Sequence, residues 1–153
     1  MHARAATTGD LAAVFRRLAD RMAAEYASAG HSKSTVQDIF FQNLKEGRAH
    51  ALLDNGDPVA IISWDEFDGI VNTSFAAAES FFNASTVRFC KRHIRHIQAL
   101  CGNRPIQSRS WSDRAEVARW FRVIGFAAAE NDAGATVFEL PPQALTASER
   151  LRA

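Results

Sequence analysis

Two short apolar runs on either side of an Asn-Gly pair constrain the fold of this chain more than any other feature. Residues 50–53 and 59–64 are mostly apolar, and the Asn-Gly pair lies between them at residues 55–56. Asn and Gly accept the positive φ angles that tight hairpin turns require, so the pattern predicts a β-hairpin. A turn at residues 65–69 then leads to a third predicted strand at residues 70–77. We therefore expect the core to be built on an antiparallel sheet.

Helical spacing of apolar residues precedes this region. Apolar side chains recur at three- and four-residue steps from Leu11 to Tyr26, which predicts one helix ended by Gly30. Thr8 or Asp10 is expected to cap its first turn. The same reasoning predicts helices at residues 34–47, 85–101 and 112–125, with Ser112 or Asp113 as the last cap, and strands at residues 2–7, 105–111, 126–130 and 135–140.

The order of these elements predicts the fold class. The chain reads β-α-α-β-β-β-α-β-α-β-β, with antiparallel strands first and helical crossovers later. This order favours an α/β (α+β) fold with a single mixed, mostly antiparallel sheet and helices on both faces. A chain of 153 residues suffices for one core. We expect one domain over residues 1–142 and a polar tail over residues 143–153.

Composition excludes several classes of protein. The chain is 47% hydrophobic and has 18 basic against 17 acidic residues, which is neither a nucleic-acid-coating polycation nor a disordered acidic chain. Cys90 and Cys101 are too few for a disulfide framework and lie on an apolar helix seam, so they are expected in the core. The sequence has no apolar signal core and no apolar stretch of membrane-spanning length. A cytoplasmic protein with no membrane partner is predicted.

The near-zero total charge conceals two opposed segments. Residues 88–122 contain nine basic and two acidic residues, a net charge of +7, and the rest of the chain carries −6. Residues 49–87 hold six acidic residues and no basic one. The basic segment would suit phosphate groups, although basic residues opposite an apolar helix seam are usually solvated surface. Nucleic-acid binding is not favoured, because the total charge is near neutral and the helix has no interleaved exposed aromatic residues.

Two local sequences and the order of elements carry a family resemblance. RAATTGDL at residues 4–11 and WFRVIGF at residues 120–126 resemble the opening and the last helix of the GCN5-related N-acetyltransferase (GNAT) family. The Ile-Gly-Phe end of the second sequence is similar to the family's Leu-Gly-Phe, and the resemblance spans residues 1–140. Residues 85–126 are more loosely similar to internal virion proteins of short-tailed phages that share this fold.

The resemblance implies a site for acetyl-CoA. Family members cradle its pyrophosphate with a glycine-rich loop and the helix start that follows. The matching residues here are Phe82, Asn83, Ala84, Ser85, Thr86, Val87 and Arg88. They include no glycine, although amides at a helix start still favour an anion. The resemblance further implies Glu79 as general base, and it matches the family's proton-donating tyrosine with Phe121, which has no proton to give.

Other candidate residues have simpler interpretations. His93 and His96 are three apart on one predicted helix and could reach one metal ion, but no further ligand is marked, so no metal is predicted. Trp64, Trp111 and Trp120 are expected in the core, with pocket lining as a second interpretation for Trp64 or Trp111. No catalytic triad spacing, phosphate-loop sequence or dinucleotide fingerprint is present.

Two functional hypotheses remain. The first is an acyl-CoA-dependent N-acyltransferase that moves the acetyl group of acetyl-CoA to an amine of a small molecule or peptide. The acidic hairpins would attract the cationic amine, and Glu79 would take its proton through water. The second is a non-catalytic GNAT-fold structural or assembly protein, such as a phage internal virion protein associated with the virion. The glycine-free loop and Phe121 motivate this alternative.

Overall fold

One mixed sheet of seven strands organises the molecule. The computed structural model describes residues 1–82 and 86–152. The strands in chain order are His2–Ala5 (β1), Ala49–Asp54 (β2), Asp57–Phe67 (β3), Ile70–Ala77 (β4), Ile106–Ser110 (β5), Ala127–Asp132 (β6) and Ala135–Leu140 (β7). Their spatial order is β1-β2-β3-β4-β5-β7-β6, and only the β4–β5 pair is parallel. The predicted mixed, mostly antiparallel sheet is confirmed.

Five of the six described helices lie between strands in the chain, and the sixth follows the last strand. They are Thr8–Arg16 (α1), Asp20–Ser28 (α2), Lys33–Lys45 (α3), Thr86–Leu100 (α4), Ala115–Val123 (α5) and Ala147–Arg152 (α6), with a 3₁₀ turn at Glu79–Phe81. The last helix lies in the predicted polar tail. In the described ranges, no helix combines the length and the apolar character that crossing a bilayer requires.

Two tight turns build the meander β2–β3–β4. The φ angles are 49° and 81° at Asn55 and Gly56, and 54° and 78° at Asp68 and Gly69. Each pair of positive φ angles matches the right-handed twist of the strands that it joins. The first turn is the predicted one. The second is shorter than predicted, because residues 65–67 continue β3 and pair with the start of β4.

The predicted first helix is interrupted, and this prediction was wrong. α1 ends at Arg16 and α2 begins at Asp20. Between them, the Ala19 N–H donates to the Ala77 carbonyl at 2.9 Å, and Leu18 forms a β-bridge with Ala78. These backbone groups bond to the end of β4 instead of to the preceding helical turn, so the helix cannot continue through them. The break turns α2 across the sheet.

The caps of α1 and α5 also differ from the prediction. Thr7, not Thr8 or Asp10, is the N-cap of α1. Its hydroxyl accepts from the Asp10 N–H at 3.1 Å, and the Asp10 carboxylate accepts from the Thr7 N–H at 2.9 Å. The Arg4 guanidinium beside Asp10 lowers the pKa of that carboxyl. At α5 the N-cap is Arg114, which has no side-chain cap bond, instead of the predicted Ser112 or Asp113.

The hydrophobic core has two layers, one on each face of the sheet. On one face α1 and α3 pack on the central strands, with Phe15 edge-on to Phe40 at a ring-centroid distance of 5.5 Å. On the other face α4 packs against β4, β5 and β7 through fully buried residues such as Ile97 and Val71. Helices therefore cover both faces, as predicted.

Candidate functional site

The β4–β5 pair, the one parallel pair among the described strands, is open along most of its length. β4 and β5 pair at Val71 with Ile106 and at Asn72 with Gln107, and nowhere else. The Thr73 hydroxyl donates to the Gln107 carbonyl at 3.3 Å and closes the ladder. Beyond this point the ladder does not continue, so a gap separates the two strands in the middle of the sheet.

A cavity of about 1220 Å³ occupies this gap. On one face of the sheet its lining includes Val36 of α3 and Tyr26 of α2, which belong to or pack against the core layer of α1 and α3. On the other face it includes Cys90 and Ile94, from the layer of α4. Because the two layers lie on opposite faces, the cavity extends through the sheet. A cavity of this size exceeds the 300–1,000 Å³ typical of small-ligand sites. Its volume is sufficient for a ligand larger than most small molecules.

Aromatic side chains form one wall of the cavity. Phe82, Trp120 and Phe121 line it, and the fully buried Phe81 lies behind them with its ring centroid 6.1 Å from that of Trp120. Phe121 stacks on Phe138 at a centroid distance of 4.2 Å. Phe121, which matches the family's tyrosine, is therefore part of a packed hydrocarbon wall.

The tryptophans and cysteines divide between core and cavity. Trp64 is buried in the core, as expected first. Trp120 packs against the same core and also lines the cavity, and Trp111 lines the cavity. Cys90 and Cys101 are buried free cysteines, as predicted. Burial raises the pKa of the Cys90 thiol to about 12, so this cavity-lining group stays protonated and is a poor nucleophile.

α2 crosses the gap and bonds to both strands. The Tyr26 hydroxyl donates to the Phe75 carbonyl of β4 at 2.6 Å. Glu25 Oε1 accepts from the backbone N–H of Trp111, directly after β5, at 2.8 Å. Burial raises the pKa of Tyr26, so its hydroxyl keeps the proton that this bond uses. Sequence reasoning missed Glu25, because no local pattern links it to a backbone group 86 positions away.

The residues predicted to hold the cofactor lie at the start of α4. Phe82, Thr86 and Val87 line the cavity, and Arg88 is exposed on α4. The predicted residues Asn83, Ala84 and Ser85 lie outside the described residues. The described part of the predicted segment thus brings the beginning of a 15-residue helix to the cavity, where the helix dipole favours negative charge.

Glu79, the predicted general base, lies at the edge of this region. It begins the 3₁₀ turn after β4, its side chain is 64% exposed, and it pairs with Arg21. The Arg21 guanidinium also lies over the Phe82 ring, 4.1 Å from its centroid, and lines the cavity. Glu79 therefore reaches the described cavity lining through Arg21.

The acidic residues of the hairpins have different surroundings. Asp65 and Asp68 line the cavity from the β3–β4 hairpin. In contrast, Glu66 pairs with Arg104 at 2.5 Å, which lowers the pKa of the Glu66 carboxyl, and Asp57 pairs with an arginine of the α1–α2 connection. Only part of the predicted acidic segment faces the cavity.

The basic segment is likewise divided. Arg109 and Arg114 line the cavity, and each pairs with a carboxylate, Asp132 and Glu116 respectively. Arg88, Lys91 and Arg92 on the outer face of α4 are exposed, whereas Arg95 is half-buried and donates to the Gln98 side chain and the Pro141 carbonyl. This solvated face agrees with the simpler interpretation of the charge run.

His93 and His96 meet a third histidine that the sequence did not connect to them. His50 Nδ1 lies 3.0 Å from His93 Nε2, and the His96 ring centroid lies 5.8 Å from that of His93. With His2, they line a second cavity of about 350 Å³. Burial and the neighbouring histidines lower the pKa of His50, and that of His93 to about 4. Within residues 1–82 and 86–152, no group of three potential ligands is arranged to hold a metal ion.

Solved structures with the same architecture identify the fold. No protein-family model matches the sequence, and no curated protein does. The GNAT domain of S. lividans PAT superposes with a TM-score of 0.70 at 13% identity, over 90% of this chain and 88% of that one. The chain has the GNAT fold.

Other proteins with the GNAT fold align over nearly their whole length. The ribosomal-protein-S18-alanine N-acetyltransferase from Escherichia coli has a TM-score of 0.69 at 15% identity, over 95% of this chain and 96% of that one. AAC(6')-Ib in complex with ribostamycin and coenzyme A has a TM-score of 0.66 at 16% identity, over 92% of each chain. Identities this low establish the GNAT fold alone.

Proposed function

We propose that this protein is an acyl-CoA-dependent N-acyltransferase that moves the acetyl group of acetyl-CoA to an amine. The observation that carries the proposal is the cavity between β4 and β5, which is lined by residues from both faces of the sheet. Acyl transfer requires a donor and an acceptor to meet, and much of its acceleration comes from holding them together. A passage through the sheet supports such a meeting. The proposal is further supported by a GNAT-fold structure, AAC(6')-Ib, that holds coenzyme A together with an amine-bearing ligand.

The start of α4 is the proposed phosphate-binding part of the site. Phe82, Thr86, Val87 and Arg88 would hold acetyl-CoA there, together with residues 83–85 of the same predicted segment. The helix start supplies backbone amides and the positive end of a dipole, both of which favour a pyrophosphate. Bound acetyl-CoA would supply a thioester whose carbonyl carbon accepts the amine.

The acceptor is proposed to be a small-molecule or peptide amine. Asp65 and Asp68 in the cavity lining would attract its ammonium group. Ribostamycin and an alanine of a ribosomal protein, named with the two aligned enzymes, are examples of amine-bearing compounds of different size. The sequence predicts Glu79 as the base, acting through water, but in the structure its side chain is 64% exposed and paired with Arg21.

One observation favours a second candidate function. The position matched to the family's tyrosine is Phe121, which stacks on Phe138 and offers no proton to a departing thiolate. A non-catalytic structural or assembly protein with this fold, such as a phage virion component, would have no use for such a proton. The two candidates differ in whether they make a product.

A transfer assay tests the proposed function. The folded protein is incubated with acetyl-CoA and either ribostamycin or a short peptide beginning with alanine, and products are quantified by mass spectrometry. We expect acetylated amine and free coenzyme A thiol in equal amounts for at least one acceptor, and no thiol release above background without an amine. No acetylated product from either acceptor or from a wider panel of primary amines would contradict the proposal and favour the assembly protein.

A further inference from the structure

α2 brings one carboxylate into the gap between the diverging strands. Glu25 is half-buried, lines the cavity, and accepts from the Trp111 N–H at 2.8 Å. Its neighbour Tyr26 is bonded to the Phe75 carbonyl on the opposite side of the gap. Successive residues of a helix point about 100° apart, so one helix can reach β4 with Tyr26 and the end of β5 with Glu25. The Trp111 N–H therefore holds the carboxylate directly, and the Tyr26 bond to β4 fixes the helix that carries it.

The surroundings of Glu25 differ from those of two other glutamates near the cavity. Glu79 is mostly exposed and paired with Arg21, and Glu116 is paired with Arg114. In the part of the chain that the structure describes, Glu25 takes part in no ion pair, and its hydrogen bond comes from a neutral backbone amide. That bond uses Oε1 and leaves Oε2 for another donor. A carboxylate with no cationic side chain beside it has room to pair with a cationic ligand.

We propose that Glu25 binds the acceptor amine and takes its proton, an inference that rests on the proposed N-acyltransferase function. The ammonium group of the acceptor donates a proton to the Glu25 carboxylate and becomes a neutral amine. The amine nitrogen forms a bond to the thioester carbonyl carbon as the carbon–sulfur bond breaks, and the electron pair of that bond stays on sulfur. The second nitrogen proton goes to the thiolate, which leaves as coenzyme A thiol, and Glu25 returns its proton to water.

Glu25→Gln tests this role without removing the bond to Trp111. The amide oxygen still accepts from the Trp111 N–H, but the side chain can neither carry charge nor take a proton. We expect kcat/KM for the amine to fall by about 10²–10⁴-fold, the usual contribution of a general base. Binding of acetyl-CoA, measured by calorimetry, should be unchanged. The deficit should shrink at high pH, where the amine is already neutral.

Control variants separate chemistry from structure. Glu46→Gln makes the same change at an exposed position at the end of α3 and should keep wild-type activity. Glu25→Ala should speed hydrogen exchange at the Trp111 amide, whereas Glu25→Gln should not. This readout confirms the observed bond in solution independently of turnover.

The outcomes distinguish a failure of the proposed N-acyltransferase function from a failure of the role of Glu25. A wild-type protein that transfers no acetyl group overturns the proposed function and this inference with it. An active wild type with an equally active Glu25→Gln variant overturns the role of Glu25 alone. A slow Glu25→Gln variant whose pH profile parallels that of the wild type overturns the proton transfer, because a merely positioning residue would leave the profile unshifted.

Discussion

Phe81→Ala is expected to lower the free energy of unfolding by about 3–5 kcal/mol, the cost of deleting a buried aromatic ring and leaving a cavity. Phe81 is 0% exposed. Its ring makes edge contacts with Phe75 on β4, with Phe82 and with Trp120 on α5, at centroid distances of 5.0, 5.4 and 6.1 Å. The truncation therefore removes the side chain that packs the aromatic wall of the cavity against the sheet. Urea unfolding measures the loss.

Phe67→Ala provides the matched control for this experiment. It makes the same truncation at the last residue of β3, where Phe67 is 76% exposed. A surface truncation of this kind is expected to change stability by no more than about 0.5 kcal/mol. If the two variants lost equal stability, the assignment of Phe81 to the packed wall would be wrong.

Acidification from pH 6.5 to pH 4 is expected to cost about 2–3 kcal/mol of stability through His93. Burial, with the charges of His50 and His96, lowers the pKa of His93 to about 4, against 6.5 for a free histidine. Well above pH 6.5, His93 is neutral in both the folded and the unfolded protein, so its protonation does not lower the unfolding free energy there. As the pH falls, the unfolded chain binds the proton first, so the unfolding free energy decreases until the folded pKa is reached. The lowered pKa of His50 acts in the same direction.

His93→Gln should flatten this dependence. Glutamine can still bond to His50, but it does not titrate, so urea unfolding between pH 4 and 6.5 should show a smaller slope than for the wild type. His31→Gln, at an exposed position after α2, should retain the wild-type slope. A His93→Gln variant with an unchanged slope would show that another group carries the acid sensitivity.

The strands and helices that local sequence determines were largely predicted. Asn55-Gly56 set the first hairpin turn, because their positive φ angles depend only on the residues of the turn. The apolar seam of α4 was predicted from its spacing, and Cys90, Ile94 and Ile97 are buried along it. The order of these elements was enough to indicate the GNAT fold, which the structural comparisons confirm.

Features that depend on contacts between distant segments could not be predicted. The pattern from Leu11 to Tyr26 is helical throughout, yet the helix breaks because Ala19 bonds to Ala77 at the end of β4. The position of Glu25 opposite Trp111 follows from that break, since it turns α2 across the gap. The sequence instead favoured Glu79, which lies next to a predicted strand and therefore had a position in the expected topology.

The histidine cluster shows the same limit. Helical spacing places His93 and His96 near each other, but His50 reaches them only because β2 lies under α4. Charge counts were similarly informative only in part. They located the acidic hairpins in the sequence. They could not show that Asp65 lines the cavity whereas Glu66 pairs with Arg104, because each outcome depends on the neighbours that the residue has in the folded chain.

Calorimetric titration of the folded protein with acetyl-CoA tests the central claim most directly. We expect saturable heat with one molecule of acetyl-CoA bound per chain. Coenzyme A should compete for the same site, because the proposed contacts at the start of α4 are made with its phosphates. No heat at millimolar acetyl-CoA, with the protein shown to be folded by circular dichroism in the same buffer, would contradict an acyl-CoA-dependent function.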